Sequence, residues 1–561
     1  MPEDIKNLAE RFALANAVSF NGKAQIGAVI GKILAEKPEL KLKIKEISKQ
    51  ISEIVSEINK LSLDEQKKRL EKTWPEYFAP KPKIKEEKTL KPLPFAEHGK
   101  VVMRVEPSPS GALQIGNAFV ICINSAYCKL YNGRFIIRIS DTDIDKIDPE
   151  SYDLIIYDSK WLTKNGVDEF YIQSDRMEIY YKWAKILLEK QHAYVCTCKS
   201  EEWHELMLKG QACPCRNLEV KEQLKRWEGM LNGKIPEGGA VLRIKTDLSH
   251  PNPAIRDWAA LRIKEAPHPR QGKKYRVWPL MNFAVAIDDY EMGITHCIRG
   301  KDHMDNEKKQ KYIYDYLGWK MPYHLYEGRI NFIGFEVSKS KTKKKIESGE
   351  YVGWDDPRLP FIPALRKRGY VPEAFTKWAI EIGISESDKL ISADDFYKIF
   401  NAINRSIIDP IANRYWFVPE PIKISVNPKP NLKNIDVALH PNKKETRKIN
   451  IGKNFFISKK DFEEFSNKEV RLMHLCNILL DKKRRAKLTS LENKDIPKIQ
   501  WLSDDYVKAE IVMPDNSKIK GIAESNVFSL PVGEIIQFER FGFVRLDQKK
   551  KDKVIFYFAH K

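Results

Sequence analysis

The sequence predicts a multidomain chain in which a Rossmann-like parallel-sheet α/β core is joined to an all-β C-terminal part of small barrels and preceded by a helical extension. Three observations predict it. From residue 100 onward, apolar strand-like runs alternate with helical patterns; beyond about residue 415 the chain breaks into short β-like runs with turns; and an apolar stripe at helical spacing precedes residue 75. Strands separated by helices argue for a parallel sheet with crossovers, and short turn-bounded strands for a sandwich or barrel.

Length and composition agree with this reading. The 561 residues exceed what one core of about 100–200 residues holds. A hydrophobic fraction of 42% excludes wholesale disorder, and no window approaches the ~20 uninterrupted apolar residues of a membrane-spanning helix. The opening MPEDIKNLAERFALANA is acidic and then amphipathic, so no secretory signal is read and the chain is expected in the cytoplasm. Thiols there are reduced, so the eight Cys read as free thiols or metal ligands. With 97 Lys+Arg against 77 Asp+Glu the net charge is +20, which points to a polyanionic partner, nucleic acid first.

Residues 1–80 read as helical: Ile44, Ile47, Ile51, Ile54, Ile58 and Leu61 recur at steps of three and four, a stripe that buries one face. Residues 81–99, built around PKPKIKEEKTLKPLP, are too rich in Pro and charge to pack, and mark a linker. The first half of the core spans 100–192, with strands over 101–105, 135–139 and 170–173 and helices starting near Ile115, running through Trp161, and covering Met177–Glu189. Residues 193–277 break the alternation with a Cys-rich segment and turns such as HPNP and APHPR, and read as an insertion. The pattern resumes through 284–287 and 295–299 in the second half, 278–353. A helical connector over 354–414 and the β region over 415–561 complete the chain; IIQFERFGFVRL and VIFYFAH flank DQKKKDK as a hairpin.

Ligands of such sheets sit beyond the carboxyl ends of the strands, and two stretches with chemistry come directly after strands. Pro107-Ser108-Pro109-Ser110-Gly111 leads into Gln114-Ile115-Gly116-Asn117 at a helix start. Glycines there let a ligand approach the backbone, and free N–H groups of a helix N-terminus suit phosphate. Ser338-Lys339-Ser340, with Lys341 and Lys343 to Lys345 behind it, reads as a basic loop whose mobile Lys side chains stabilise charge on a transferring phosphate. A third stretch holds Cys196-x-Cys198 and Cys213-x-Cys215, fourteen residues between the pairs. Four thiolates at this spacing close a tetrahedral site with no open position, the pattern of structural zinc. His192 and His204 read as bystanders, and Cys122, Cys128, Cys297 and Cys476 as core. The basic runs 482–485 and 549–551 suit a salt-sensitive contact with a nucleic-acid backbone, or simply a solvated face; Tyr415 and Trp416 suit core or base stacking equally.

The first two stretches, at this separation and on this topology, resemble the paired signatures of class I aminoacyl-tRNA synthetases. HPNPAIRDW (250–258), KYRVWPL (274–280), IRGKDH (298–303), GWDDPRL (353–359) and NRSIIDP (404–410) resemble the glutamyl-tRNA synthetases of the archaeal and eukaryotic branch, and the resemblance runs over most of the chain. It implies that ATP, with Mg2+, activates glutamate to an adenylate, and that the glutamyl group passes to tRNA(Glu), with tRNA(Gln) open as a second substrate. It implies that the insertion holds the acceptor end and the barrels read the anticodon. It places ATP on Pro107, Ser108, Gly111, Gln114, Gly116, Asn117, Ser338, Lys339 and Ser340, with Gln114, Asn117 and Lys339 acting on the phosphates. Glutamate falls on Arg104, Ser108, Ser140, Met281 and Arg299, the arginines expected to take its carboxylates bidentately. It supports Zn2+ on the four Cys, and leaves the N-terminal helices to dock an accessory protein or another part of the chain.

The chain departs from the family at one pocket. His-x-Gly-His becomes Gln114-Ile115-Gly116-Asn117, and amides donate hydrogen bonds without carrying charge. Ser140 stands where the family has an acid for the substrate amino group, Met281 where it has Tyr, Glu106 where it has a small residue, and Glu336 at a basic or neutral position. Three readings are open: an active glutamate enzyme with a tolerant pocket, a tRNA-binding paralogue with weak or lost activation, and an altered choice of amino acid.

Overall fold

The computed structural model describes residues 2–37, 39, 40, 44–77 and 88–561. The chain divides into two compact units, Met1–Glu87 and Lys88–Lys561. In the first, helices α1 (Glu3–Ser19), α2 (Ile26–Glu36), α3 (Ile44–Asn59) and α4 (Leu63–Thr73) surround one core. Three residues of the expected stripe, Ile47, Ile51 and Ile58, form the buried face of α3 together with Val55, which the stripe did not include, and share a core with Leu8 and Phe12; Ile54 is half-buried and Leu61 lies in the turn beyond the helix. Ser62 starts α4 through a reciprocal cap with Glu65, and buried Gln66 ties the α3–α4 turn by donating to Ile58 O at 2.8 Å.

Of the expected linker, residues 81–87 lie outside the described residues. Residues 88–99 belong to the second unit and pack on its core, which corrects the expectation for that part. Leu93 is buried and its N–H donates to Tyr131 Oη at 2.9 Å, and Pro94 O meets His296 Nε2 at 2.9 Å. Proline forbids regular structure here, but an extended strap can still lay its leucines into a groove.

The core opens with β1 (Val102–Val105), α5 (Ile115–Leu130), β2 (Arg134–Ile139), α6 (Ser151–Thr163), β3 (Glu169–Ile172) and α7 (Met177–Glu189). The insertion comes next: β4 (Ala193–Cys196), α8 (Ser200–Leu208), α9 (Val220–Leu231), β5 (Val241–Ile244), β6 (Ala259–Ile263) and β7 (Val277–Pro279), its strands forming an antiparallel sheet in sequence order. The core then resumes with α10 (Met281–Glu291), β8 (His296–Gly300), α11 (Met304–Leu317) and β9 (Tyr323–Glu327). The parallel sheet runs β3-β2-β1-β8-β9, with Arg104 of β1 beside Ile136 of β2. The apolar run 284–287 is not a strand but the buried face of α10, because a four-residue apolar run has no periodicity to separate the two.

The chain continues as β10 (Ile330–Ile333), α12 (Lys339–Glu347), α13 (Ile362–Arg368), α14 (Pro372–Ile382), β11 (Lys389–Ser392) and α15 (Ala393–Ile408). The connector is therefore not wholly helical, since β11 pairs in parallel with β10. Beyond it lie two β layers of six and seven strands, each with its own core, and a two-stranded ribbon of Asn434–Ala438 with Thr446–Asn450. Gly542–Lys550 and Lys553–His560 form the expected hairpin. Tyr415 and Trp416 are buried there, so core is the reading that holds for them; both basic runs sit exposed at strand-to-strand turns.

Candidate active site

The two chemistry-bearing stretches, more than two hundred residues apart, meet at the carboxyl edge of the sheet. Lys339 Nζ donates to Gly111 O at 3.2 Å and approaches Ser108 O at 3.5 Å. Burial pushes its ammonium down to about 8. The Ser-Lys-Ser stretch is not a loop: Ser338 caps α12, its Oγ meeting Lys341 N at 3.5 Å, so Lys339 is the first helical residue and Ser340 sits beside the cap at 3.4 Å. Lys343 pairs with Asp148, whose N–H donates to Pro109 O at 2.7 Å, a second tie between the stretches.

The loop before α5 is held from below. Gly111 has φ +138°, and a Cβ there would lie 2.6 Å from the Trp354 ring, so only glycine lets that ring close under the loop. Ile115 N–H donates to Pro360 O at 3.3 Å, and Gly116 N–H to Gln114 Oε1 at 2.6 Å. These two N–H groups, which the sequence offered to phosphate, are already engaged. Asn117 Oδ1 accepts Gln114 N–H at 3.1 Å, completing a reciprocal cap. The groups left to donate are therefore the amide nitrogens of Gln114 and Asn117, since a backbone N–H can only be met by an oxygen.

Behind the loop lies a buried charge network. Arg104, 2% exposed, forks onto Asp289 at 2.7 and 2.9 Å and reaches Glu106 at 3.3 Å. Arg299 donates to Gln310 at 2.8 Å and to Asp289 at 3.3 Å. Both arginines that the sequence offers as carboxylate anchors are bound to Asp289 in this structure. Burial opposes the Asp289 charge, but Arg104 and Arg299 hold its carboxyl below the ordinary range. Arg138 pairs with Asp288, and its Nη1 also donates to Glu106 at 3.0 Å and to Ser140 Oγ at 2.8 Å. Arg176 and Tyr180 complete the Asp288 shell. Ser140 N–H donates to Pro107 O at 3.0 Å, and Met281 is the first residue of α10, 42% exposed.

Sequence reading missed Arg138, Asp288 and Asp289. Their signal was two arginines within the apolar strand RFIIRI and an Asp pair closing the apolar run of α10, charges that a core tolerates only when paired. It also missed Asp141. This buried carboxylate accepts from Tyr152 at 2.7 Å and from Ser174 N–H at 2.8 Å, while its backbone oxygen meets His268 Nε2 of the insertion at 2.8 Å.

In the insertion, Cys196, Cys198, Cys213 and Cys215 bring their sulfurs within 4.8 Å of one another. Two pairs lie 3.9 and 3.8 Å apart. A tetrahedron with Zn–S bonds of ~2.3 Å has edges of ~3.8 Å, so the four thiols fit such an ion. Arg226 and Thr197 N–H point at Cys215 Sγ, 3.2 and 3.5 Å away, donors suited to a thiolate. Cys122, Cys128, Cys297 and Cys476 are buried, as expected of core residues.

Residues 100–404 match the family model of class I tRNA synthetases (E and Q), catalytic domain, and residues 412–493 and 498–547 match two models of the anti-codon binding domain of the same class. The curated glutamate–tRNA ligase of Pyrococcus abyssi is 47% identical over 579 residues, covering 100% of both chains. That of Methanothermobacter marburgensis is 40% identical, covering 99% of this chain and 100% of its own. A solved glutamate tRNA ligase from Elizabethkingia meningosepticum, in complex with its amino acid, is similar at TM-score 0.40 and 21% identity, over 56% of this chain and 70% of that one. With a catalytic-domain match over more than half its length and relatives of full coverage, the chain belongs to the class I tRNA synthetases of the glutamyl and glutaminyl (E and Q) type.

Proposed function

We propose that the chain is a glutamate–tRNA ligase, activating glutamate with ATP and passing the glutamyl group to tRNA(Glu). The observation that carries it is the meeting of the two stretches over the sheet edge, with Lys339 Nζ 3.2 Å from Gly111 O. On this reading the ATP phosphates lie against Pro107, Ser108, Gly111 and Gly116. The amide nitrogens of Gln114 and Asn117 and the Lys339 ammonium donate to them, and Ser338 and Ser340 border that end. A glutamate carboxylate oxygen attacks the α-phosphorus, the bond to the bridging oxygen breaks, and pyrophosphate leaves with the electron pair. Preorganised donors matter most where that charge develops. Mg2+ travels with the ATP phosphates. Arg104, Arg299, Ser108, Ser140 and Met281 line the glutamate end, where substrate carboxylates share the guanidiniums that Asp289 now holds.

The insertion holds the tRNA acceptor end and the β layers read its anticodon, with the exposed basic runs giving salt-sensitive backbone contacts. Cys196, Cys198, Cys213 and Cys215 hold structural Zn2+, which closes the loop at the base of the insertion. Among the described residues no helix is long and apolar enough to cross a membrane; the cytoplasm is the proposed location. The test supplies purified protein with ATP, tRNA(Glu) and each of the twenty amino acids. Pyrophosphate exchange and charging with glutamate are expected, and neither occurring with glutamate overturns the reading.

A further inference from the structure

Glutamate brings an ammonium as well as two carboxylates, and an ammonium needs an anion that ligands can reach. Within the network that links Arg104, Arg138, Arg176 and Arg299, the carboxylates are Asp288, Asp289 and Glu106. Asp288 and Asp289 are sealed, at 0% and 1% side-chain exposure, and their oxygens are taken by arginines; Glu106 is 26% exposed. It stands directly after β1, at the carboxyl edge and one residue before the Pro107–Gly111 turn.

Glu106 and Ser140 end neighbouring strands and accept from the same atom, Arg138 Nη1, at 3.0 and 2.8 Å. They therefore border one small volume from two sides. Four guanidiniums against three carboxylates leave this network one positive charge in excess. Glutamate, with two carboxylates and one ammonium, carries one negative charge and neutralises it.

We propose that Glu106, at the end of β1, is the residue that binds the ammonium group of the amino-acid substrate, with Ser140 at the end of β2 facing the same group. The proposal rests on the glutamate–tRNA ligase reading. Substrate ammonium donates to the Glu106 carboxylate, which Arg138 and Arg104 orient from behind, and to Ser140 Oγ. Arg104 and Arg138 keep Asp289 and Asp288 when Glu106 is altered, and Gln at this position still accepts from Arg138, so the network survives the substitution.

The test is calorimetric binding of glutamate, and of glutarate, which lacks the amino group, to the full chain and its variants, with folding followed by thermal melting. The unaltered chain is expected to prefer glutamate. Glu106→Gln should weaken glutamate on the order of 10²-fold, as losing one partner of a buried charge pair does. Glutarate should hold or tighten, because a repelling charge is gone. Glu106→Asp should keep the preference for glutamate, and Ser140→Asp should restore it in the Glu106→Gln background. Equal weakening of both ligands would overturn the proposal in favour of a purely structural Glu106, and an unchanged preference would place the ammonium elsewhere. If the unaltered chain bound no glutamate, the ligase reading itself would fall, an outcome distinct from either.

Discussion

Asn117 Oδ1 accepts the backbone N–H of Gln114 at 3.1 Å while Gln114 Oε1 accepts that of Gly116 at 2.6 Å, so backbone N–H groups of one helix start fix the orientation of both amides of the substituted signature. Their oxygens accept at the helix start, which leaves their nitrogens as donors. Asn117→Asp preserves the cap, because a carboxylate oxygen accepts the same N–H, and it places a negative charge at a helix N-terminus, where it is stabilising. The amide donor is replaced by an acceptor. The melting temperature should hold or rise, while pyrophosphate exchange falls by about 10²–10³. A variant exchanging at the parent rate would show that Asn117 caps the helix and does nothing further.

The Lys339 ammonium, pushed down to about 8 by burial, should leave its mark on the pH profile. The charged form is the one that meets phosphate, so kcat/KM for ATP, which reports the free enzyme, should fall tenfold per pH unit above about 8. Bound ATP favours the charged form, so the limb in kcat should lie higher. Lys339→Arg, a group that stays charged past pH 12, should lose the limb while working at a lower rate. A parent profile flat to pH 10, together with Lys339→Ala exchanging at the parent rate, would remove the ammonium from the reaction.

Replacing Cys213 and Cys215 by Ser together should release about one zinc per chain, measured on protein purified without chelator. The four sulfurs draw together Cys196 at the end of β4 and the turn before α9, so their loss should loosen the insertion and leave the parallel sheet intact. The KM for tRNA should rise several-fold while those for ATP and glutamate stay put. Equal damage to all three would mean that the site supports the whole core.

What the sequence made legible was what periodicity and spacing encode. The α3 stripe, four of the five strands of the parallel sheet (all but β9), the Cys pairs and the terminal hairpin are local patterns, and each could be read without knowing its partner. The partners of single charges could not be read. Arg104 and Arg299 stood out as anchors, yet Asp289, which holds both, lies on a helix nearly two hundred residues from Arg104, and nothing local to either pairs them. Gln114 and Asn117 looked like lost imidazoles, and only the structure shows both capping the start of α5. Residues 88–99 looked unable to pack because composition excludes helix and strand but says nothing of a groove waiting on the core.

The all-β part offers a test of its own. Arg447 and Glu524 form a buried pair at 2.9 Å, in which Glu524 also accepts Trp416 N–H at 2.7 Å and Arg447 donates to Ala438 O at 2.6 Å. Burial raises the Glu524 pKa, against the pull of Arg447. Arg447→Met removes that pull and leaves a carboxylate without its counter-charge, which should cost about 3–5 kcal/mol of local stability. With a folded pKa raised above the unfolded value, Glu524 favours folding when protonated. The deficit should therefore shrink as pH falls toward ~4.3 and be full at neutrality. Adding Glu524→Gln to Arg447→Met removes the unpaired charge and should recover most of the loss. Amide exchange in Thr446–Asn450 and Lys518–Glu524 reads this opening locally, without assuming that a multidomain chain unfolds in one step. A double variant as exposed to exchange as the single one would mean that Arg447 acts through packing on Tyr415 and Trp416, whose ring centres lie 5.4 and 5.7 Å away, and not through its charge.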